Sequence, residues 1–128
     1  MADILKIKDG ILEKCTNRNI TRVEIPAGVK VICKDAFNYC ESLLSVVIPS
    51  SVKVIGGYAF SHCSSLASVV IPSSVTKIAG YAFCDCESLE SVEFGGTVAQ
   101  WEAMEKEDGW RNCVPSTIVK CSDGEAWL

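Results

Sequence analysis

Residues 25–47 read IPAGVKVICKDAFNYCESLLSVV, residues 48–70 read IPSSVKVIGGYAFSHCSSLASVV, and residues 71–93 read IPSSVTKIAGYAFCDCESLESVE. Ile25-Pro26, Ile48-Pro49 and Ile71-Pro72 therefore recur every 23 residues, and a dozen columns agree in spacing. A period of this length marks a solenoid, in which each unit buries its apolar side only against its neighbours. One unit earlier, Ile20, Val23 and Ile25 match Leu43, Val46 and Ile48; one unit later, Phe94 takes the isoleucine column. The expected repeat region is 20–94, a little over three coils. It sits in a single domain (1–128) between an N-terminal cap (1–19) and a C-terminal cap (95–128).

Within a unit, Leu-x-x-Val-x-Ile-Pro alternates apolar and outward residues with the period of a strand. Proline lacks the N–H that a ladder needs, so Pro26, Pro49 and Pro72 end the strands. Val29/Ile32, Val52/Ile55 and Val75/Ile78 form a second short extended segment. Phe37, Phe60 and Phe83 are expected to pack as an aromatic column. Cys40, Cys63 and Cys86 are expected to form a buried structural ladder beside it. Cys33 falls in a small-residue column with Gly56 and Ala79.

The pattern I-P-S-S-V-x-x-I-x-x-x-A-F-x-x-C-x-S-L-x-S-V resembles the BspA-like (Treponema pallidum-type) leucine-rich repeats. The flanks are similar too: Asp9-Gly10-Ile11-Leu12 at the start, and Gly95-Gly-Thr-x-x-Gln-Trp101, Trp110 and Cys121-Ser-Asp-Gly124 at the close. The resemblance implies an α/β repeat fold, a short right-handed leucine-rich-repeat solenoid. It also implies a role in binding, since many members of that family are surface proteins that bind proteins or host cells.

A solenoid exposes an apolar cross-section at each end, so both ends need lids. Ile4-x-x-Ile7 and Ile11-Leu12, turning at Asp9-Gly10, read as a hairpin lid. Thr97-Val-Ala-Gln100 spells a capping box. It predicts a helix over 98–107 with Val98, Trp101 and Met104 inside and Glu102, Glu105 and Lys106 outside, stopping near Gly109. Pro115–Cys121 reads as a last strand.

The chain has 128 residues, is 48% hydrophobic and carries a formal net charge of −4. Disorder is excluded by that hydrophobicity, and no apolar run approaches a membrane span. The acidic balance argues against direct nucleic-acid binding. The N-terminus alternates charge with apolar residues and does not read as a signal peptide. The expected location is therefore cytoplasmic, or secreted or surface-exposed if an upstream signal has been removed. Eight cysteines, about 6% of the chain, fall short of a disulfide scaffold. Cys84, which replaces Asn38 and Ser61, is expected to face solvent as the most reactive thiol. A zinc reading would gather Cys84, Cys86 and His62 with Cys113 or Cys121, but the paired spacing of structural zinc sites is missing. Cys113 and Cys121 would be free to bridge if the protein were exported. No nucleophile elbow, phosphate loop or catalytic carboxylate pair is present, so the expectation is a non-enzyme with no cofactor and no metal site.

What remains is surface. Columns Thr21/Leu44/Ala67/Glu90, Arg22/Ser45/Ser68/Ser91 and Glu24/Val47/Val70/Glu93 point away from the buried positions. The expected partner-binding residues are Arg22, Leu44, Ser45, Val47, Ser68, Val70, Glu90 and Glu93: an apolar centre with charged ends, as protein-binding sites are built. Tyr58 and Tyr81, with Lys53 nearby, form a second ridge. Residues 1–60 hold eight Lys/Arg against six Asp/Glu, a net of +2, and residues 61–128 hold four against ten, a net of −6. Three functional readings follow. The first is a non-catalytic protein-interaction module using the strand face. The second is a small intracellular inhibitor that engages a larger, basic, nucleic-acid-handling protein through the acidic C-terminal end (Glu87, Glu90, Glu93, Glu102, Glu105, Glu107, Asp108). The third is a cell-surface adhesin fragment. The oligomeric state stays open between a monomer and a weak dimer.

Overall fold

The computed structural model describes residues 4–128, so Met1–Asp3, at the start of the expected N-terminal cap, lie outside the described residues. The chain runs β1 (Leu5–Lys8), β2 (Ile11–Cys15), β3 (Arg22–Glu24), β4 (Val31–Ile32), β5 (Ser45–Val47), β6 (Val54–Ile55), β7 (Ser68–Ile71), β8 (Lys77–Ile78), β9 (Ser91–Phe94), α1 (Val98–Ala103), β10 (Glu105–Lys106), β11 (Ile118–Cys121) and β12 (Gly124–Trp127). Strands of successive coils pair in parallel, as the repeat demands. One sheet has the order β1-β2-β4-β6-β8-β10; the facing side carries β3-β5 and then β7-β9-β11-β12. Ile32, Ile55 and Ile78 share a register, as do Val69 and Val92.

The solenoid is longer than the repeat spelling suggests, with five parallel rungs in the first sheet instead of three to four coils. β2 was expected only as a lid, yet it is itself a rung, with Leu12 opposite Ile32. Among the described residues, β1 alone closes that end, running antiparallel to β2 through Asp9 and Gly10, both in left-handed conformations. At the other end β10 adds a rung, Lys106 opposite Ile78. Here 28 residues separate the two positions, against 23 between Ile55 and Ile78, because α1 is inserted in the coil. β12 closes the facing side antiparallel to β11.

The capping box on α1 is as expected: the Thr97 hydroxyl accepts from the Gln100 amide at 3.1 Å and the Gln100 side chain accepts from the Thr97 amide at 2.8 Å. The helix is shorter than predicted, ending at Ala103, because Met104 turns to extended backbone and the next residues join the sheet. Lys106 is not an outward helical residue. Its Nζ donates to the carbonyls of Trp101 (2.6 Å) and Met104 (3.2 Å) and lies 4.6 Å from the Trp101 ring centroid, so it caps the helix C-terminus. Burial pushes its pKa down, with Glu102 opposing.

The core is a set of columns. Phe37, Phe60 and Phe83 stack with centroids 5.1 Å apart at each step, and all three are fully buried. Trp110 ends the column, edge-on to Phe83 at 6.3 Å and to Trp101 at 5.8 Å. Its backbone register places it where Ala82 sits one coil earlier: Tyr81 donates to the Asp108 carbonyl as Tyr58 does to Gly80. Gly109 therefore takes the tyrosine position at φ 73 and is no helix stop.

Candidate partner-binding face

All eight residues expected on the strand face line the solvent side of β3, β5, β7 and β9 or the turn before them. Arg22 pairs with Ser45, Glu24 with Val47, Ser68 with Ser91 and Val70 with Glu93. The alternation that buries Val23, Val46, Val69 and Val92 turns these outward. Leu44 is 58% exposed, Val47 54% and Val70 52%; Arg22, Glu90 and Glu93 are exposed too, while Ser45 is half-buried. One member was missed. Lys120 stands opposite Glu93, so the outermost row runs Glu24, Val47, Val70, Glu93, Lys120. Its period-two position in the last strand was the available signal, lost because that strand stands outside the 23-residue spelling.

The thiols resolve differently. Cys40, Cys63 and Cys86 are buried in one column, with Cys63 Sγ donating to the Phe37 carbonyl at 3.3 Å and Cys86 Sγ to the Phe60 carbonyl at 3.0 Å. Cys15 adjoins the ladder: it is buried and, after burial itself, is the main influence raising the Cys40 thiol to about 12. Cys63 is pushed well above the ordinary thiol range, first by its hydrogen-bonding contact with Cys86 and then by burial. The repeat spelling missed Cys15 because 25 residues, instead of 23, separate it from Cys40.

Cys84 does not face solvent. It is 5% exposed, and burial followed by the Asp85 charge raises its pKa, so it is a poor nucleophile. The polar residues of its column misled: Ser61 is fully buried and satisfied, its hydroxyl donating to the Asn38 side chain. The exposed thiol is Cys113, which follows Tyr39, His62 and Asp85 in a column of left-handed residues. A hydrogen bond to Asp85 raises its pKa. All eight cysteines are free, so Cys113 and Cys121 form no bridge. Among the described residues no cluster of three His, Cys, Asp or Glu side chains is arranged to hold a metal.

The acidic end is partly absorbed by the fold. Lys77 Nζ lies 3.6 Å from Glu105 and 3.4 Å from Glu107, and Glu107 accepts from the Gly80 amide at 2.9 Å. Glu105 first, then Glu107, raises the Lys77 pKa.

A model described as the BspA type leucine-rich repeat region matches residues 3–105 in 6 copies. The chain belongs to the BspA-type leucine-rich repeat family. The matched span covers the added rung β2 and the spelled repeats and ends at the first residue of β10. A leucine-rich repeat protein of Treponema pallidum aligns with TM-score 0.68 and 25% identity over 85% of this chain and 62% of that one. One from Bacteroides capillosus aligns with TM-score 0.66 and 27% identity over 88% and 86%. A leucine-rich cell surface protein of Faecalibacterium prausnitzii shares the fold, with TM-score 0.54 and 22% identity over 74% and 38%. The chain thus spans about three-fifths of the Treponema protein and less of the Faecalibacterium one. No curated protein matches. BspA-type repeats generally serve as protein-interaction or surface modules, and their fold is typically non-catalytic. No helix among the described residues is long and apolar enough to cross a membrane.

Proposed function

We propose that this BspA-type domain is a non-catalytic protein-binding module that captures its partner on the strand face. The observation that carries the reading is the run Leu44, Val47 and Val70: three aliphatic side chains more than half exposed on neighbouring rungs. Arg22 and Glu24 stand at one end of this patch and Glu90, Glu93 and Lys120 at the other. Removing such side chains from water is favourable by about 25 cal/mol per Å², so leaving them exposed beside the buried Val23, Val46, Val69 and Val92 of the same strands calls for a covering partner. The charged ends set orientation and association rate. The complementary partner presents an apolar patch flanked by charges of both signs.

The test is affinity capture from lysate of the source cells with the parent chain and with Val47→Glu/Val70→Glu, each first shown to be folded by circular dichroism. The expected result is a retained protein that the double variant loses. Equal retention by both removes the strand face from consideration.

The acidic-end reading is the weaker alternative, since Glu105 and Glu107 are already engaged with Lys77 and Gly80. The adhesin reading draws on the Faecalibacterium neighbour's description as a cell surface protein. It uses the same strand face and differs only in where the partner resides.

A further inference from the structure

On the side of the coils that follows β4, β6 and β8, two residues per coil adopt a left-handed backbone, and the first of each pair is Asp35 (φ 63), Tyr58 (φ 56), Tyr81 (φ 60) or Gly109 (φ 73). Tyr58 and Tyr81 stack with centroids 5.2 Å apart and planes 16° from parallel. Tyr81 in turn covers Gly109, where a Cβ would fall 2.3 Å from the ring. At Asp35 the stack breaks, because a carboxylate is too short to cover the outer face of Tyr58. The gap is an open slot of about 330 Å³ lined by Lys34, Asp35, Asn38, Tyr39, Tyr58, Ser61 and His62.

The carboxylate in this slot has one hydrogen-bonding neighbour. The buried Ser61 hydroxyl donates to the Asn38 Oδ1, which turns the Asn38 Nδ2 toward Asp35 Oδ1 at 3.4 Å. Asp35 Oδ2 has no donor among the described residues, and no cation there lies within ion-pair distance of it, Lys34 included. Tyr39 forms the adjacent wall, stacked on His62 at 4.2 Å.

We propose that the slot binds the guanidinium of an arginine side chain from a protein or peptide. A guanidinium is planar, so it continues the stack on the open Tyr58 face while its edge donates to the oriented carboxylate. A lysine ammonium can meet the charge but cannot stack. A neutral ring can stack but leaves Asp35 without a donor, and an anion is repelled by it. The slot lies on a different side of the coils from the strand face and does not depend on that face binding anything.

The test is an NMR titration of the full chain with N-acetyl-L-arginine amide, run beside the lysine, citrulline and tyrosine amides. The expected result is saturable shifts in the millimolar range, confined to Asp35, Asn38, Tyr39 and Tyr58 and seen with arginine above the other three. Asp35→Asn, which tolerates the left-handed backbone, weakens this binding about tenfold or more. Asp35→Tyr, which completes the stack, abolishes it, and Lys34→Gln strengthens it. An equal response to lysine, citrulline or tyrosine overturns the proposal, as does undiminished arginine binding by Asp35→Asn. If Asp35→Tyr does not fold, Asp35→Asn decides.

Discussion

The middle coils and the two end coils use the same backbone scheme with different side chains. In the middle, like stacks on like: Phe37, Phe60 and Phe83 keep a 5.1 Å step, and Cys40, Cys63 and Cys86 follow one another. At the ends the same positions are filled by dissimilar residues. Trp110 stands in an alanine position, Val114 in the thiol position and Lys106 opposite Ile78, while Cys15 takes a phenylalanine position, its amide donating to the Ala36 carbonyl as that of Phe37 does to Ala59. Identical neighbours suit the interior because each coil meets the same surface above and below. An end coil meets the solenoid on one side and a lid on the other, so its side chains must be larger or partly polar. Lys106 shows the compromise, with its stem in an apolar column and its ammonium on helix carbonyls.

The largest test of this contrast is Phe60→Ala. Phe60 touches a phenylalanine on each side, so its loss opens a cavity that neither neighbour can fill, and about 3–5 kcal/mol of stability should go. Urea unfolding checks it; a loss below about 1 kcal/mol would mean the coils repack and the column is not rigid. Trp110→Leu should cost less, about 1–3 kcal/mol, and the loss should be local. Hydrogen exchange should quicken in 105–121 while 46–71 stays protected; uniform loss of protection would show that the ends and middle unfold as one unit. Thr97→Ala removes one half of the capping box and should cost about 1 kcal/mol by thermal unfolding, with Thr97→Asn restoring most of it.

The smallest effect is kinetic. Cys113 should label first with a thiol reagent, and the buried ladder should wait on local opening. Its hydrogen bond to Asp85 raises its pKa, so at mildly alkaline pH it holds less thiolate than a free cysteine. Asp85→Asn removes that carboxylate, lowers the pKa and should speed labelling, with the gain fading as pH rises past both values. Labelling of Cys84 at a matching rate would contradict its burial.

The legible parts share a cause. Phe60, Ile55 and Val69 each report a local rule repeated by neighbours in the same column, and the Thr97 cap reports one contained in four consecutive residues. Cys84 was misread because its column mates are polar, and polarity was taken for exposure. Ser61 is buried since Asn38, one coil away, satisfies its hydroxyl. Likewise Lys120 and Cys15 lie in coils of altered length, where spacing no longer names the column.

The 23-residue period determined the parallel coils, the aromatic and thiol columns and the outward row with its apolar centre, because a repeated unit meets a repeated environment. Tertiary structure alone decided where the solenoid ends, that β2 and β10 are rungs, that Cys84 is buried, and that the tyrosine stack stops at an oriented carboxylate. Each of these depends on contacts between coils whose register is set by backbone hydrogen bonds, and a register can persist where residue spacing and residue type both change.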